Sequence, residues 1–123
     1  MAKIFVIEDE PSLRLLYRTE LEGMGHEVTC LSNGREAMLR MNNDQPDLIV
    51  LDIMMPEGDG MEFLTRLLDH RMAVPVIINS AYSHYKNDFM SWAAEAYVVK
   101  SSDLSELKSE IHKALDKSSM AMV

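Results

Sequence analysis

The sequence predicts an α/β domain built on a parallel β-sheet, and three observations indicate it. Short apolar runs alternate five times along the 123 residues with longer stretches of helical spacing. The strongest runs contain no polar alternation, which is typical of strands buried on both faces. The run Leu48–Leu51 is one of these, and it ends on a single carboxylate, Asp52. Strands and helices that alternate in this way form parallel sheets covered by crossover helices.

The individual elements follow from the apolar runs and their boundaries. Strands are predicted at Lys3–Ile7, His26–Leu31, Asp47–Leu51, Val76–Ile78 and Ala96–Val99. Proline or capping side chains mark helix starts near Pro11, Asn33, Asp59 and Asp103. The second strand is the poorest in apolar residues, which indicates an edge strand. The fourth helix, near His84–Ala94, is weakly patterned.

Composition limits the classes of function. Apolar residues make up 47% and charged residues 26% of the chain, as in one soluble globular domain over residues 1–123, of which we expect the last few to fray. A net charge of −8 without a Lys/Arg cluster disfavours nucleic-acid binding by this domain. Cys30 is the single cysteine, which fits a cytoplasmic location. We expect no membrane segment, because no apolar stretch approaches the roughly 18–20 residues needed.

Polar side chains follow the predicted strands where these end. Five strands with this alternation best fit the flavodoxin-like, doubly wound order 2-1-3-4-5 with five helices, in which strands one, three and four are neighbours. Their carboxyl ends carry Glu8 and Asp9, Asp52, and Ser80, and strand five adds Lys100. Open α/β sheets build their binding crevices at this edge.

These residue types suggest phosphoryl chemistry. Clustered carboxylates repel one another unless a cation neutralises them, and Mg²⁺ prefers such oxygen ligands. Lys100 supplies a point charge suited to phosphate, and Ser80 supplies a hydroxyl. An aspartate such as Asp52 can act as a nucleophile and become an acyl phosphate.

From end to end the chain resembles a bacterial two-component response-regulator receiver domain. The motifs that carry the resemblance are Ile7-Glu8-Asp9-Glu10, Leu51-Asp52-Ile53-Met54-Met55-Pro56 with Asp59-Gly60, Ser80-Ala81, and Tyr97 with Val99-Lys100. The resemblance implies that Asp52 is the phosphoacceptor. It also implies that Asp9, Asp52 and the Met54 main-chain carbonyl bind Mg²⁺ directly, and that Glu8 acts largely through water.

The resemblance further implies a switch. Ser80 and Lys100 would contact the phosphoryl oxygens, and Tyr97 would turn inward on activation. The surface of the fourth helix, fifth strand and fifth helix would then bind a partner or form a homodimer. The donor would be a sensor histidine kinase or a phosphotransfer protein. Met54 and Tyr82 would flank the phosphoryl group and tune its lifetime.

Two residues depart from the family pattern. Ser101 follows Lys100, where family members usually have proline, often after a cis bond. A cis bond without proline costs roughly 2.5–4 kcal/mol, so we expect either a trans bond with a re-routed loop or a strained cis bond. Asn79 is polar where the family usually carries an apolar residue.

Other functions remain as alternatives. A phosphatase with an aspartate nucleophile usually has a second acid two residues on, where this chain has Met54, which cannot transfer protons. A flavodoxin-like cofactor module needs a phosphate loop that Glu8-Asp9-Glu10 would repel. A degenerate receiver could serve as a scaffold. The chain could be a stand-alone receiver or a fragment of a longer regulator or hybrid kinase.

Overall fold

The computed structural model describes residues 1–55, 59–70, 73–82 and 94–121. Within these ranges the strands are Lys3–Ile7 (β1), Glu27–Leu31 (β2), Leu48–Leu51 (β3), Val76–Ser80 (β4) and Ala96–Val99 (β5). The helices are Pro11–Gly23 (α1), Gly34–Met41 (α2), Asp59–Asp69 (α3) and Ser105–Ala121 (α4). The helix predicted near 84–94 lies outside the described residues, apart from residue 94 at its end.

The five strands form one parallel sheet in the order β2-β1-β3-β4-β5, which confirms the predicted topology. β2 lies at an edge, as its sparse apolar pattern indicated. β4 continues two residues beyond the predicted end, because Asn79 and Ser80 pair in register with Val98 and Val99 of β5. Their polar side chains indicated a strand end, whereas the backbone pairing decides where the strand stops.

The core divides into two clusters, one on each face of the sheet. Phe5 and Ile7 of β1 pack on the side covered by α2 and α3, while Ile4 and Val6 face α1 and α4. This alternation follows from the two-residue period of a strand, in which successive side chains point to opposite faces. Helices therefore cover both faces of the sheet, which leaves the ends of its strands available for a functional site.

The helix boundaries follow local signals in the sequence. Pro11 occupies the first turn of α1, and the Asn33 side chain accepts a 2.8 Å hydrogen bond from the Glu36 amide at the start of α2. The Asp103 carboxylate accepts a 2.9 Å hydrogen bond from the Ser105 amide at the start of α4. Gly25 has a φ of 92°, which suits glycine in the turn into β2. None of the described helices is both long and apolar enough to cross a lipid bilayer.

Candidate functional site

Strand register places the predicted site residues together at the carboxyl edge of the sheet. Ile7 pairs with Leu51, and Leu51 pairs with Ile78, so the next residues, Glu8, Asp52 and Asn79, form one row across β1, β3 and β4. The Asp52 amide donates to the Ile7 carbonyl at 3.0 Å and so extends the β1–β3 ladder. The backbone pairing therefore sets the spacing of these side chains independently of the contacts that they make.

The acid cluster is largely buried. Glu8 is 2% exposed and Asp52 is 5% exposed, whereas Asp9 is exposed. One carboxylate oxygen from each of the three residues lies within 4.8 Å of the others. The cluster thus has two acids in the protein interior and one at its mouth.

Lys100 is the cation of this cluster. Its Nζ lies 2.6 Å from Glu8 Oε1 and 2.9 Å from Asp52 Oδ2, so a single ammonium bridges two strands. Burial by itself would lower the pKa of Lys100, but the contacts with Glu8 and Asp52 outweigh it and raise that pKa above its usual range. The ammonium therefore stays charged at physiological pH.

For Glu8, in contrast to Lys100, burial outweighs the contacts that favour the charged form. Burial raises its pKa above the usual glutamate value, and the Asp52 charge adds to this, while Lys100 and the Glu10 amide work against it. Its Oε1 is buried and has the ion pair with Lys100 but no well-angled hydrogen bond from the described residues. Burial therefore disfavours the charged form of Glu8.

Backbone contacts hold the acids in place. The Met54 amide donates to Asp52 Oδ1 at 2.9 Å, and the Glu10 amide donates to Glu8 Oε2 at 3.1 Å. Gly60 packs so closely that a Cβ there would lie 2.5 Å from the Asp52 carbonyl oxygen and 2.5 Å from Ile53 Cα. The first turn of α3 therefore rests directly on the backbone that carries Asp52, and glycine is required for that approach.

The strands β4 and β5 contribute the predicted switch residues. Ser80 is fully buried, and its Oγ accepts a 3.2 Å hydrogen bond from the Tyr82 amide. The Tyr97 ring is also buried, and its hydroxyl donates to the Tyr82 carbonyl. Ser80 and Tyr97 thus both contact the main chain of Tyr82. The Lys100–Ser101 peptide bond is trans, so the strained cis bond is excluded.

Met54 and Tyr82 lie at the rim of the site. Their exposed fractions are 43% and 47%, against nearly full burial of Asp52 and Ser80 two residues before them. Each therefore presents a bulky apolar surface to solvent beside a buried polar group.

Two contacts beside the site, Tyr17 with Asn79 and Arg14 with the turn after β1, leave no signal in the sequence. Tyr17 of α1 and Asn79 are both buried, and the nearby Asn79 side chain works against the burial that raises the pKa of Tyr17. The polar side chain inside β4 thus has a polar neighbour on α1. Arg14 Nη1 donates to the main-chain carbonyls of Glu8 at 2.7 Å and Asp9 at 3.0 Å. Only the folded arrangement brings these groups together.

The donor set fits a magnesium ion. Mg²⁺ takes oxygen ligands at about 2.0–2.1 Å, so ligands of one octahedron lie up to about 4.2 Å apart. The oxygens of Glu8, Asp9 and Asp52 lie within 4.8 Å of one another, which is close to that spacing. The set contains no histidine or cysteine ligand, which favours Mg²⁺ over a softer metal.

Comparison with known proteins identifies the family. The profile of the response regulator receiver domain matches residues 4–112. The chain belongs to the response-regulator receiver family. A receiver domain is a signalling switch, so the chain is a signalling module.

Curated relatives of this chain are regulatory proteins that are longer than it. The KDP operon regulatory protein KdpE of Escherichia coli is 36% identical over 117 residues, which is 94% of this chain and 52% of KdpE. The Escherichia coli regulatory protein AtoC is 33% identical over 120 residues, 96% of this chain and 26% of AtoC. This receiver domain therefore spans about half the length, or less, of these relatives.

Solved structures of response regulators share the fold of this chain. The response regulator TrrA of Thermotoga maritima, solved with Mg²⁺-BeF, has a TM-score of 0.86 at 40% identity, over 94% of this chain and 100% of TrrA. TrrA was also solved in complex with the histidine kinase ThkA, and that TrrA chain has a TM-score of 0.84 at 40% identity, over 94% of this chain and 99% of TrrA.

Proposed function

We propose that this receiver domain accepts a phosphoryl group on Asp52 from the phosphohistidine of a sensor histidine kinase or a phosphotransfer protein. The observation that carries the proposal is the Asp52 carboxylate itself, buried beside two other acids and in contact with the Lys100 ammonium. The complexes of TrrA with a histidine kinase and with Mg²⁺-BeF support this choice of donor and cofactor.

The chain's own groups suit an aspartate nucleophile. A carboxylate oxygen of Asp52 forms the new bond to phosphorus while the phosphorus–nitrogen bond of the donor breaks, and the electron pair stays on the imidazole nitrogen. The Met54 amide fixes Asp52 Oδ1, and Lys100 contacts Oδ2, so the carboxylate is held in one orientation. Lys100 then remains beside the phosphoryl oxygens and stabilises their charge.

We propose that Mg²⁺ binds directly to Asp9, Asp52 and the main-chain carbonyl of Met54, and to Glu8 through water. When bound, Mg²⁺ neutralises charge on the phosphoryl oxygens during transfer. Glu8 and Asp52 are held by backbone amides, and the exposed Asp9 can adjust to the ion. This arrangement supports a site that is largely formed in advance.

We further propose that Ser80 and Tyr97 report phosphorylation to a partner-binding surface. Ser80 would turn its hydroxyl to the phosphoryl group and release the Tyr82 amide, to which Tyr97 is linked through the Tyr82 carbonyl. The proposed surface comprises β5, α4 and the segment 84–94, whose residues 84–93 lie outside the described ones. It would bind a downstream target or output domain, or form a homodimer.

The proposal covers the rest of the domain's activity. Its only catalysis would be its own phosphorylation and dephosphorylation, in the cytoplasm, where a kinase has ATP as its phosphate source. The sheet and α4 together support assigning residues 1–123 to a single receiver domain.

Intact mass spectrometry tests the acceptor. After incubation with acetyl phosphate and Mg²⁺, we expect one phosphoryl adduct, no adduct with EDTA, and no adduct on Asp52→Asn. Asp47→Asn is the matched control, because Asp47 lies at the other end of β3, and it should accept the phosphoryl group normally. An adduct on Asp52→Asn, or none on the wild type, would overturn the proposal.

The rim residues predict a slowly hydrolysed phosphate. Met54 and Tyr82 have large, half-exposed side chains two residues after Asp52 and Ser80, and we propose that they obstruct an attacking water molecule. Met54→Asn and Tyr82→Ala should therefore each shorten the adduct's half-life severalfold, measured by following the intact mass after removal of the donor. Leu39→Ala, another exposed apolar residue, is the control and should leave decay unchanged. Unaltered half-lives in both rim variants would refute the idea.

A further inference from the structure

Arg14 of α1 makes an unusual contact with the loop that carries two acids of the site. Its Nη1 donates to the main-chain carbonyl of Glu8 at 2.7 Å and to that of Asp9 at 3.0 Å. β1 ends at Ile7, so these carbonyls lie beyond the regular ladder. One guanidinium nitrogen therefore satisfies two successive carbonyls at the turn from β1 into α1.

The Arg14 head group is committed to this contact. In the parts of the chain that the structure describes, no carboxylate forms a salt bridge with it. Arg18, one turn further along α1, is different, because its Nε pairs with the Glu22 carboxylate at 3.3 Å on the surface. The two arginines thus carry the same charge on one helix, and only Arg14 touches the acid loop.

Contacts of both the side chain and the main chain fix the geometry of this loop. The Glu10 amide holds the Glu8 side chain at 3.1 Å, while Arg14 holds the Glu8 and Asp9 carbonyls. Since a side chain leaves the same Cα to which its carbonyl is attached, fixing two successive carbonyls limits the directions in which both carboxylates can point. We propose that Arg14 is a positioning residue for the Mg²⁺ site, one that orients Glu8 and Asp9 toward Asp52. This inference rests on the Mg²⁺ site proposed above.

The direction of the change in Mg²⁺ affinity on removal of Arg14 distinguishes a positioning role from a purely electrostatic one. A nearby cation repels Mg²⁺, so if Arg14 acted only through its charge, its removal would tighten Mg²⁺ binding. If it acts by holding the loop, its removal weakens binding, because groups that orient metal ligands commonly change affinity by about 10–100-fold. The two roles predict opposite shifts of one dissociation constant.

Calorimetric titration with Mg²⁺ alone tests the proposal on wild type, Arg14→Met, Arg14→Lys and Arg18→Met. We expect about tenfold weaker binding for Arg14→Met and recovery of most of the affinity by Arg14→Lys, whose ammonium can still donate to both carbonyls. Arg18→Met removes the same charge and should bind as tightly as wild type or slightly more tightly. Thermal unfolding without metal checks that each variant is folded, and Arg14→Lys against Arg14→Gln serves if Arg14→Met does not fold.

A second readout needs no metal. Hydrogen exchange of the Glu10 amide reports whether the loop keeps its Glu8 contact, and it should quicken in Arg14→Met but not in Arg18→Met. Binding by Arg14→Met that equals or exceeds that of wild type would overturn the inference while leaving the Mg²⁺ site intact. A wild-type chain that binds no Mg²⁺ would overturn both, and the two failures are therefore distinct.

Discussion

Both ends of the sheet carry one lysine among three acids, yet the two clusters differ in surroundings. The members at the amino end are Lys3, Glu27, Asp44 and Asp47, and those at the carboxyl end are Lys100, Glu8, Asp9 and Asp52. At the amino end Lys3 Nζ bonds to Asp44, and the Lys3 amide donates to Asp47 at 2.7 Å. The residue types are therefore alike, and the difference lies in exposure to water.

Burial decides in which direction the pKa of a carboxyl group beside a lysine is shifted. The Lys3 hydrogen bond lowers the pKa of Asp44, because that carboxylate stays in contact with water and gains a cation. Glu8 also contacts a lysine, but burial raises its pKa. Asp44 thus gains from its lysine where water also solvates it, whereas burial disfavours the charged form of Glu8 despite its lysine. The cation proposed for the carboxyl-end site would offset this cost of burial, because it neutralises charge there.

Removing each lysine in turn gives the largest contrast. Lys100→Met leaves Glu8 and Asp52 buried without a cation, and breaking a buried pair costs roughly 3–5 kcal/mol. Because Lys100 is partly exposed and Glu8 can take up a proton, we expect a loss of about 2 kcal/mol in the free energy of unfolding. Lys3→Met should lower that free energy much less, since surface ion pairs contribute little.

Urea unfolding at pH 7 in EDTA measures both variants. The two losses should become similar only if the carboxyl-end cluster is as well hydrated as the amino-end cluster. Equal losses would therefore contradict the difference in hydration between the two ends.

Much of the fold is predictable from local patterns, and the error in the predicted end of β4 has a clear cause. Apolar runs located the five strands, and residues such as Pro11 and Asn33 located the helix starts, because these signals act over a few neighbouring residues. The end of β4 was misjudged by two residues. Its polar side chains resemble a loop in sequence, but pairing with β5 is a property of the sheet.

The residues of the site likewise divide into those that the sequence predicts and those that only the folded chain brings together. Asp52, Asp9 and Lys100 were predictable because each follows a strand, and parallel strands align their carboxyl ends. Arg14 was not, because its partners are main-chain carbonyls, which every residue has. The Tyr17–Asn79 pair joins residues on α1 and β4 that are far apart in sequence. Contacts of these two kinds leave no periodic or spacing signal.

A smaller effect, on pH dependence, sharpens the comparison further. Burial raises the pKa of Glu8, so the folded state holds this proton more tightly than the unfolded chain. The resulting stability is fully present below the ordinary glutamate value of 4.5 and is lost as pH rises through the folded pKa. Glu8→Gln is neutral throughout and escapes this loss. It should therefore exceed wild type by on the order of 1 kcal/mol at neutral pH, the low end of the gains from replacing buried ionic groups.

Asp44→Asn is the mirror-image control at the amino end. Lys3 lowers the pKa of Asp44, so its stabilisation is present above the ordinary aspartate value of 3.8 and is lost as pH falls through the folded pKa. Asp44→Asn should therefore be less stable than wild type at neutral pH, and this deficit should vanish in acid. Thermal unfolding in EDTA between pH 3.5 and 7.5, a range chosen about these carboxyl values, should show the Glu8→Gln advantage growing with pH while the Asp44→Asn deficit also grows. Two differences of the same sign would mean that exposure does not separate the clusters, because burial and solvation would then act alike on both acids.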